Sequence, residues 1–479
     1  MLPYADKFNF SNDNENVLMS VPIKNPGLSV SVLDFGAVGD GVTDDTEAFQ
    51  NAINTGFNVY VPMAYGFKYL ITKTLTLAKD RQTIMGDEFI THYFMDYRGN
   101  ADEFGNIERG CIFFRPGNTS DELFLASGQF QTFVNLCIVR DQSNLAGDDP
   151  VANTCIKYDK DTSNGTSITN CDGEVRNCMF RHFDHSVELY GRGLWYTDCY
   201  CIHNNIDLYI KFKTDNEWQV NETSSSMLQT FPEFVGRGIR FQNNRIHTSL
   251  EMTIRVDSED VKGNVGSWKT NVLNGAIIAN NQIDLGRGGF LFNADMYGCS
   301  IMDNVFFRLS TNGITINGRC EDSVISGNVI RGLVSTIRPS MDFRPLYGFY
   351  LSGDVLDTVI SNNVVEHTQG SGLLCTANTL TRCIISGNRF DSYGETPELS
   401  SYQRSGIVLE NMSMTQILGN SFSPANAPGN YAIRPKTPAT DVWTDCVIDD
   451  NVAYVAGLSP YTGSTASGSG RNTVQEWNQ

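Results

Sequence analysis

The sequence predicts an all-β fold: a right-handed, single-stranded parallel β-helix with three sheets and a short capping helix near its N-terminal end. Three observations predict it. A six-residue phrase, apolar-x-x-Asn-x-apolar, returns seven times in the second half. Between copies lie strands of three to five residues, too short for helices. Near the start, a single stretch carries helical periodicity.

The phrase runs from Ile278-Ala-Asn-Asn281-Gln-Ile283 to Ile448-Asp-Asp-Asn451-Val-Ala453, with asparagines at Asn281, Asn304, Asn328, Asn363, Asn388, Asn420 and Asn451. Their spacings are 23, 24, 35, 25, 32 and 31 residues, by subtraction of those numbers. A fixed phrase at such a period means stacked repeats, and the longer spacings mark coils that carry outer loops. In the bare coil Gly313–Gly332, three strands are separated by turns. One coil cannot bury its own apolar face, so each strand must pair with its equivalent in the next coil. The asparagine is expected at the bend between the second and third strands, where it tolerates left-handed backbone and bonds its stacked neighbours about 4.8 Å away.

Further back the phrase weakens. Phe241-Gln-Asn-Asn244-Arg-Ile246 fits, whereas Cys178 and Cys199 replace the asparagine, and Phe133-Val-Asn-Leu136-Cys-Ile138 is fainter still. Residues 131–455 are therefore read as one solenoid of about ten coils. Residues 1–30 form a polar, flexible extension, 31–130 the capping helix and first coils, and 456–479 a flexible tail.

The net charge of −19 excludes bulk electrostatic binding to nucleic acid or an anionic membrane, and suits a neutral sugar partner. No apolar run is long enough to insert in a membrane, and Met1–Lys7 lacks the regions of a signal peptide. Twelve cysteines in so long a chain read as reduced packing residues rather than a disulfide scaffold. Cys199-Tyr-Cys201-Ile-His203 alternates faces as a strand does, so no metal and no cofactor is expected.

Residues 30–56 hold Asp34-Phe-Gly36-Ala-Val-Gly39-Asp-Gly41, Thr43-Asp-Asp45 and a helix stripe of Ala48, Phe49, Ala52 and Ile53, stopped by Gly56. This passage resembles the N-terminal signature of the pectate-lyase-like β-helix family found in phage tailspikes and other carbohydrate-active β-helices. The resemblance implies a helix that caps the solenoid. It also implies a phage tail or baseplate appendage, assembled in the host cytoplasm, that binds and cleaves a bacterial surface polysaccharide. Asp40, Asp44 and Asp45 read as turn and helix-start residues.

No local motif specifies a reaction, so candidate sites come from columns of outward residues on successive coils. On the third strand, the column His247, Asp284, Phe307, Arg331, Glu366, Asp391 makes Glu366 and Asp391 neighbours, with Arg331 before them. On the first strand, Asp257 and Asp295 occupy nearly equivalent positions beside Arg255, Tyr297 and the Trp268 loop. That second pair is preferred, because the 257–275 insertion walls it and because the resemblance places sites on the first-strand face. Either pair would serve an endo-glycosidase with one protonated and one ionised carboxyl group. A lyase, using Arg255 or His247 at a uronate, and a non-catalytic adhesin are the alternatives. Loop aromatics Trp218, Phe231, Trp268 and Tyr393 suit stacking on sugar rings or anchoring their loops. Outward apolar residues Leu291, Phe307, Leu374 and Val408 predict an interface, and the resemblance makes it that of a homotrimer.

Overall fold

The computed structural model describes residues 7–12, 15–22, 29–63, 67–87, 111–116, 121–140, 151–159, 172–190, 193–212, 238–258, 272–334, 342–376, 379–396, 399–424, 431–437 and 441–453. The chain divides into two compact units, Met1–Asn204 and Asn205–Gln479. Each is a parallel β-helix.

In the first unit, strands Lys7–Asn12 and Glu15–Pro22 pair as an antiparallel hairpin, with Lys7 opposite Pro22. Val17, Met19 and Val21 recur at every second position of Glu15–Pro22, which is a strand signal. The helix Thr46–Asn54 forms as expected, burying Ala48, Phe49, Ala52 and Ile53. It is tied to the first coil by Gln50, whose side-chain amide exchanges hydrogen bonds with the Thr76 backbone at 2.9 and 3.1 Å. Asp45 is buried and accepts from the backbone N–H groups of Val38 and Gly39. Burial outweighs those bonds and raises its carboxyl above the usual value. Asp40 accepts from Val42 and Thr43, and Asp44 from Thr46, as turn and helix-start residues do. Three parallel sheets follow, containing Phe183–Leu189, Gly193–Thr197 and Tyr200–Ile202 as their last strands in this unit.

The second unit stacks the repeat. Its second sheet buries Phe241, Ile278, Ile301, Ile325, Ile360, Ile385, Ile417 and Ile448, one per coil, which is why the phrase begins with an apolar residue. The third sheet buries Ile246, Ile283, Phe306, Ile330, Val365, Phe390 and Phe422 in the same manner. Between the first and second sheets the coils carry an additional seven-stranded sheet, from Val272–Asn274 to Trp443–Thr444. Its strands of two or three residues are too short to show alternation, and the three-strand reading of a coil omitted them.

The asparagines form a continuous buried ladder. Each Nδ2 donates to the next asparagine's Oδ1, from Asn244→Asn281 at 3.0 Å through Asn328→Asn363 at 3.0 Å to Asn420→Asn451 at 2.9 Å. Each Oδ1 also accepts the backbone N–H of the preceding ladder residue, as Asn363 accepts from Asn328 at 2.9 Å. The left-handed backbone, however, belongs to the residue before each ladder asparagine: Asn243, Asn280, Asp303, Gly327, Asn362, Gly387, Gly419 and Asp450 all have positive φ. The ladder residue is selected for its amide, and its predecessor for the bend.

Candidate active site

The third strand of each coil ends in an outward residue before a second turn. The register confirms that these residues form one column: His247 pairs with Asp284, Asp284 with Phe307, Phe307 with Arg331, Arg331 with Glu366, Glu366 with Asp391, and Asp391 with Ser423. Neighbouring rungs of a parallel sheet lie about 4.8 Å apart. Glu366 and Asp391 are therefore adjacent carboxylates on a rigid sheet.

Basic residues surround them. Arg331 Nε donates to Glu366 Oε2 at 2.5 Å, and Arg389 Nη2 donates to Asp391 Oδ2 at 2.7 Å while standing 3.7 Å from Glu366 Oε1. Burial alone would raise the Asp391 carboxyl. The hydrogen bond and charge of Arg389, with the Ser423 and Ser392 hydroxyls, outweigh it and hold the group below its usual value. Arg389, Asp391, Ser421 and Ser423 line a recess of about 340 Å³.

The other proposed pair is arranged differently. Asp257 is in register with Asn293, whereas Asp295 lies on the short additional sheet, in register with Val272. The two acids do not share a rung, because the chain steps from one sheet to another between Asn293 and Asp295. Asp257 accepts from Arg255 Nε at 2.8 Å, Asn293 Nδ2 at 2.7 Å and the Tyr209 hydroxyl at 3.1 Å. Asn293 in turn accepts from Asn317 Nδ2 at 2.7 Å, so Asp257 begins a polar chain along the axis. Asp295 accepts from the Arg319 backbone N–H at 2.9 Å. Tyr297 bonds Asp322, and that bond with the aspartate's charge raises the phenol above its usual value. Trp218 and Trp268 lie outside the described residues, as does Phe231. Tyr393 is buried and donates to the Tyr431 carbonyl at 3.0 Å, so it anchors its loop.

Two of the four residues expected to form an exposed apolar column are covered by their own chain. Leu374 is 3% exposed and Val408 0%, packed with Tyr347, Leu346 and Tyr350. The insertion before Tyr347, which sequence alternation alone cannot place, supplies Leu346 and Tyr347, and Tyr350 is the neighbour of Leu374 on the sheet. On the second sheet Val324, Val359 and Ile384 are consecutive outward residues, the first two half-buried and Ile384 exposed, with exposed Val447 two rungs further on.

Four site residues escaped sequence reading: Arg389, Arg344, His367 and Glu395. His367 Nδ1 lies 2.8 Å from Glu395 Oε1, and Arg344 Nη1 donates to Glu395 Oε2 at 2.9 Å. Separations of 28 and 51 residues leave no local motif, although His367 directly follows Glu366 and was legible as its neighbour.

Residues 29–254 match the family model "Rhamnogalacturonase A/epimerase, pectate lyase-like", and residues 215–426 match "Periplasmic copper-binding protein (NosD)". Among the described residues of the second stretch, the buried thiols of Cys299 and Cys383 donate to backbone carbonyls, and no three His, Cys, Asp or Glu side chains converge. The preneck appendage protein of Bacillus phage PZA is 46% identical over 63 residues, 12% of this chain and 7% of that protein. A capsule K30/K69-specific depolymerase of Klebsiella phage K64-1 is 37% identical over 94 residues, 20% of this chain and 10% of its own length. The alignments thus span a small part of these relatives. Among solved structures, the N-terminal fragment of bacteriophage phi29 gene product 12 is 13% identical with a TM-score of 0.45, over 90% of this chain and 72% of that one.

Proposed function

We propose that this chain, a member of the pectate-lyase-like parallel β-helix family, is a phage tail appendage that binds and depolymerises a bacterial surface polysaccharide at the Glu366–Asp391 column. The observation that supports this reading is the pair of in-register carboxylates on neighbouring rungs, flanked by a recess and by half-exposed guanidinium groups. Adjacent carboxylates at about one rung approach the 5–5.5 Å separation of glycosidases that retain configuration. Asp391, kept ionised by Arg389, suits the nucleophile or base; Glu366 reaches the same glycosidic bond. The appendage and depolymerase relatives support the virion location and the glycan substrate.

The test uses polysaccharides from candidate hosts and fragment masses. Hydrolysis adds one water per cut, and Glu366→Gln with Asp391→Asn should abolish cutting while binding persists. Undiminished cutting by that double variant overturns the site. A second reading, elimination at a uronate, draws support from Arg331 and Arg389, whose side chains are 50% and 56% exposed and suited to neutralise a sugar carboxylate. It would leave unsaturated ends that absorb in the ultraviolet. An adhesin would bind and release no fragment.

Association belongs to the same proposal. A homotrimer would cover the second-sheet stripe of Val324, Val359, Ile384 and Val447. Light scattering at micromolar concentration should give three times the 53.1 kDa chain mass. A monomer mass that persists there overturns the trimer.

A further inference from the structure

Hydrolysis of a glycosidic bond needs a proton for the leaving oxygen. Each carboxylate of this cluster already holds a guanidinium group: Glu366 that of Arg331, Asp391 that of Arg389 and Glu395 that of Arg344, at 2.5, 2.7 and 2.9 Å. Arg389 also holds the Asp391 carboxyl below its usual value. Among the described residues, His367 stands beside these carboxylates, and an imidazole is the side chain that changes charge between about pH 5 and 8.

Its position suits the task. His367 follows Glu366 directly, and its backbone N–H donates to the Asp391 carbonyl at 3.1 Å, which ties its backbone to both rungs. Its Nδ1 meets Glu395 Oε1 at 2.8 Å, so Nε2 is the nitrogen left for a ligand, and the side chain is 47% exposed. Glu395 is itself fixed, since its backbone N–H donates to Thr368 O at 3.2 Å and its second oxygen accepts from Arg344. Gly332 lets the chains approach: a Cβ there would lie 2.1 Å from His367 O and 2.9 Å from Arg344 Cα. The imidazole meets Glu395, and the charged groups on the adjoining elements are Glu366 and Asp391, balanced by Arg331, Arg344 and Arg389.

We propose that His367, rather than a carboxylic acid, donates the proton to the leaving oxygen, with Glu395 as the residue that positions its ring. This rests on the hydrolytic reading of the Glu366–Asp391 column. The C–O bond breaks, its electron pair goes to the leaving oxygen, and that oxygen takes the Nε2 proton. A water oxygen bonds to the anomeric carbon, directly or after a glycosyl–carboxylate intermediate. Its released proton passes through a column carboxylate and solvent back to the imidazole.

The experiment compares two substrates for each variant: the polysaccharide that the chain cuts, and 4-nitrophenyl glycosides of the released fragments, whose leaving group needs no proton. His367→Gln and His367→Asn should lower kcat/KM on the polysaccharide by about 10²- to 10⁴-fold and change it little on the aryl glycosides. The alkaline limb of the kcat/KM profile should vanish in both. Glu395→Gln should displace that limb, and Glu395→Asp should restore it in part. Equal losses on both substrates, a persisting alkaline limb, or unsaturated products would overturn the proposal. If Glu366→Gln and Asp391→Asn leave cutting intact, the column itself is wrong, a result distinct from failure of His367 alone.

Discussion

The bend between the second and third sheets is built in two ways in this chain. In the second unit the ladder position is asparagine, whose Nδ2 donates both to the next amide and to a carbonyl of the previous coil, as Asn363 does to Asn388 Oδ1 and Ile325 O at 2.9 Å each. In the first unit Leu136, Cys178 and Cys199 stand there. Cys178 Sγ reaches Phe133 O at 3.6 Å and Cys199 Sγ reaches Val175 O at 3.8 Å, so the thiols direct a weak donor at the same carbonyls without an acceptor comparable to the amide oxygen. Both versions keep a left-handed residue just before the position: Asn135, Asn177 and Asp198 in the first unit, and Asn, Asp or Gly in the second, as at Asn243, Asp303 and Gly327. The bend and the fastening are therefore separate jobs. One needs a residue that accepts positive φ, and the other needs a side chain that both gives and takes a hydrogen bond.

The largest expected contrast between the units is in acid. His182 is buried at a third-sheet exit of the first unit, and burial with the nearby charges of Arg181, His203 and Arg140 lowers it to about 3. A histidine lowered in the folded state contributes stability that is complete above its ordinary value and is lost as pH falls from about 6.5 to 3. Integrated over that window the loss is about 4 kcal/mol. Urea unfolding followed by first-unit amide exchange should show it, and His182→Gln should flatten the dependence. Stability of the wild type that is level from pH 6.5 to 4 refutes the assignment.

Next in size are the asparagines. Asn328→Ala and Asn363→Ala should each cost about 1–3 kcal/mol, because each strands a backbone N–H, a neighbouring amide and a carbonyl in a buried column. An unchanged thermal midpoint in both would sink the ladder as a stabilising device. Cys199→Ala should cost less, about 1 kcal/mol, because only a weak donor is lost. A Cys199→Ala cost above that of Asn363→Ala reverses the comparison. Smallest is the effect of reductant. The eleven described cysteines are buried free thiols, so all twelve in the chain should titrate after denaturation without reductant, and the midpoint should not move when reductant is added.

The coil architecture and the Glu366–Asp391 adjacency were legible because both follow from register: once Asn363 and Asn388 are equivalent, residues three beyond them share a rung. Asp257 and Asp295 were drawn together by the same reasoning. Their offsets from the ladder agree nearly, but the short-sheet strand that begins at Asp295 keeps them off one rung, and strands of two or three residues leave no periodic trace. Tyr347 against Leu374 and Val408 was hidden because a loop's return onto the sheet leaves no alternation to read. The Arg344–Glu395–His367 cluster depends on two insertions meeting, a tertiary event with no local signal.

The asparagine ladder has one more property. The side-chain amides from Asn244 to Asn420 each point one N–H at the Oδ1 of the following coil's asparagine, so their dipoles run head to tail in one direction. In a dry interior such chains polarise one another, so each amide bond strengthens its neighbours. The column therefore gives the second unit an electrical polarity along its axis, as aligned peptides do for an α-helix, with its positive pole toward Asn451. An amide removed at mid-column would divide this into two shorter dipoles, an effect that reaches beyond the bonds of the deleted residue.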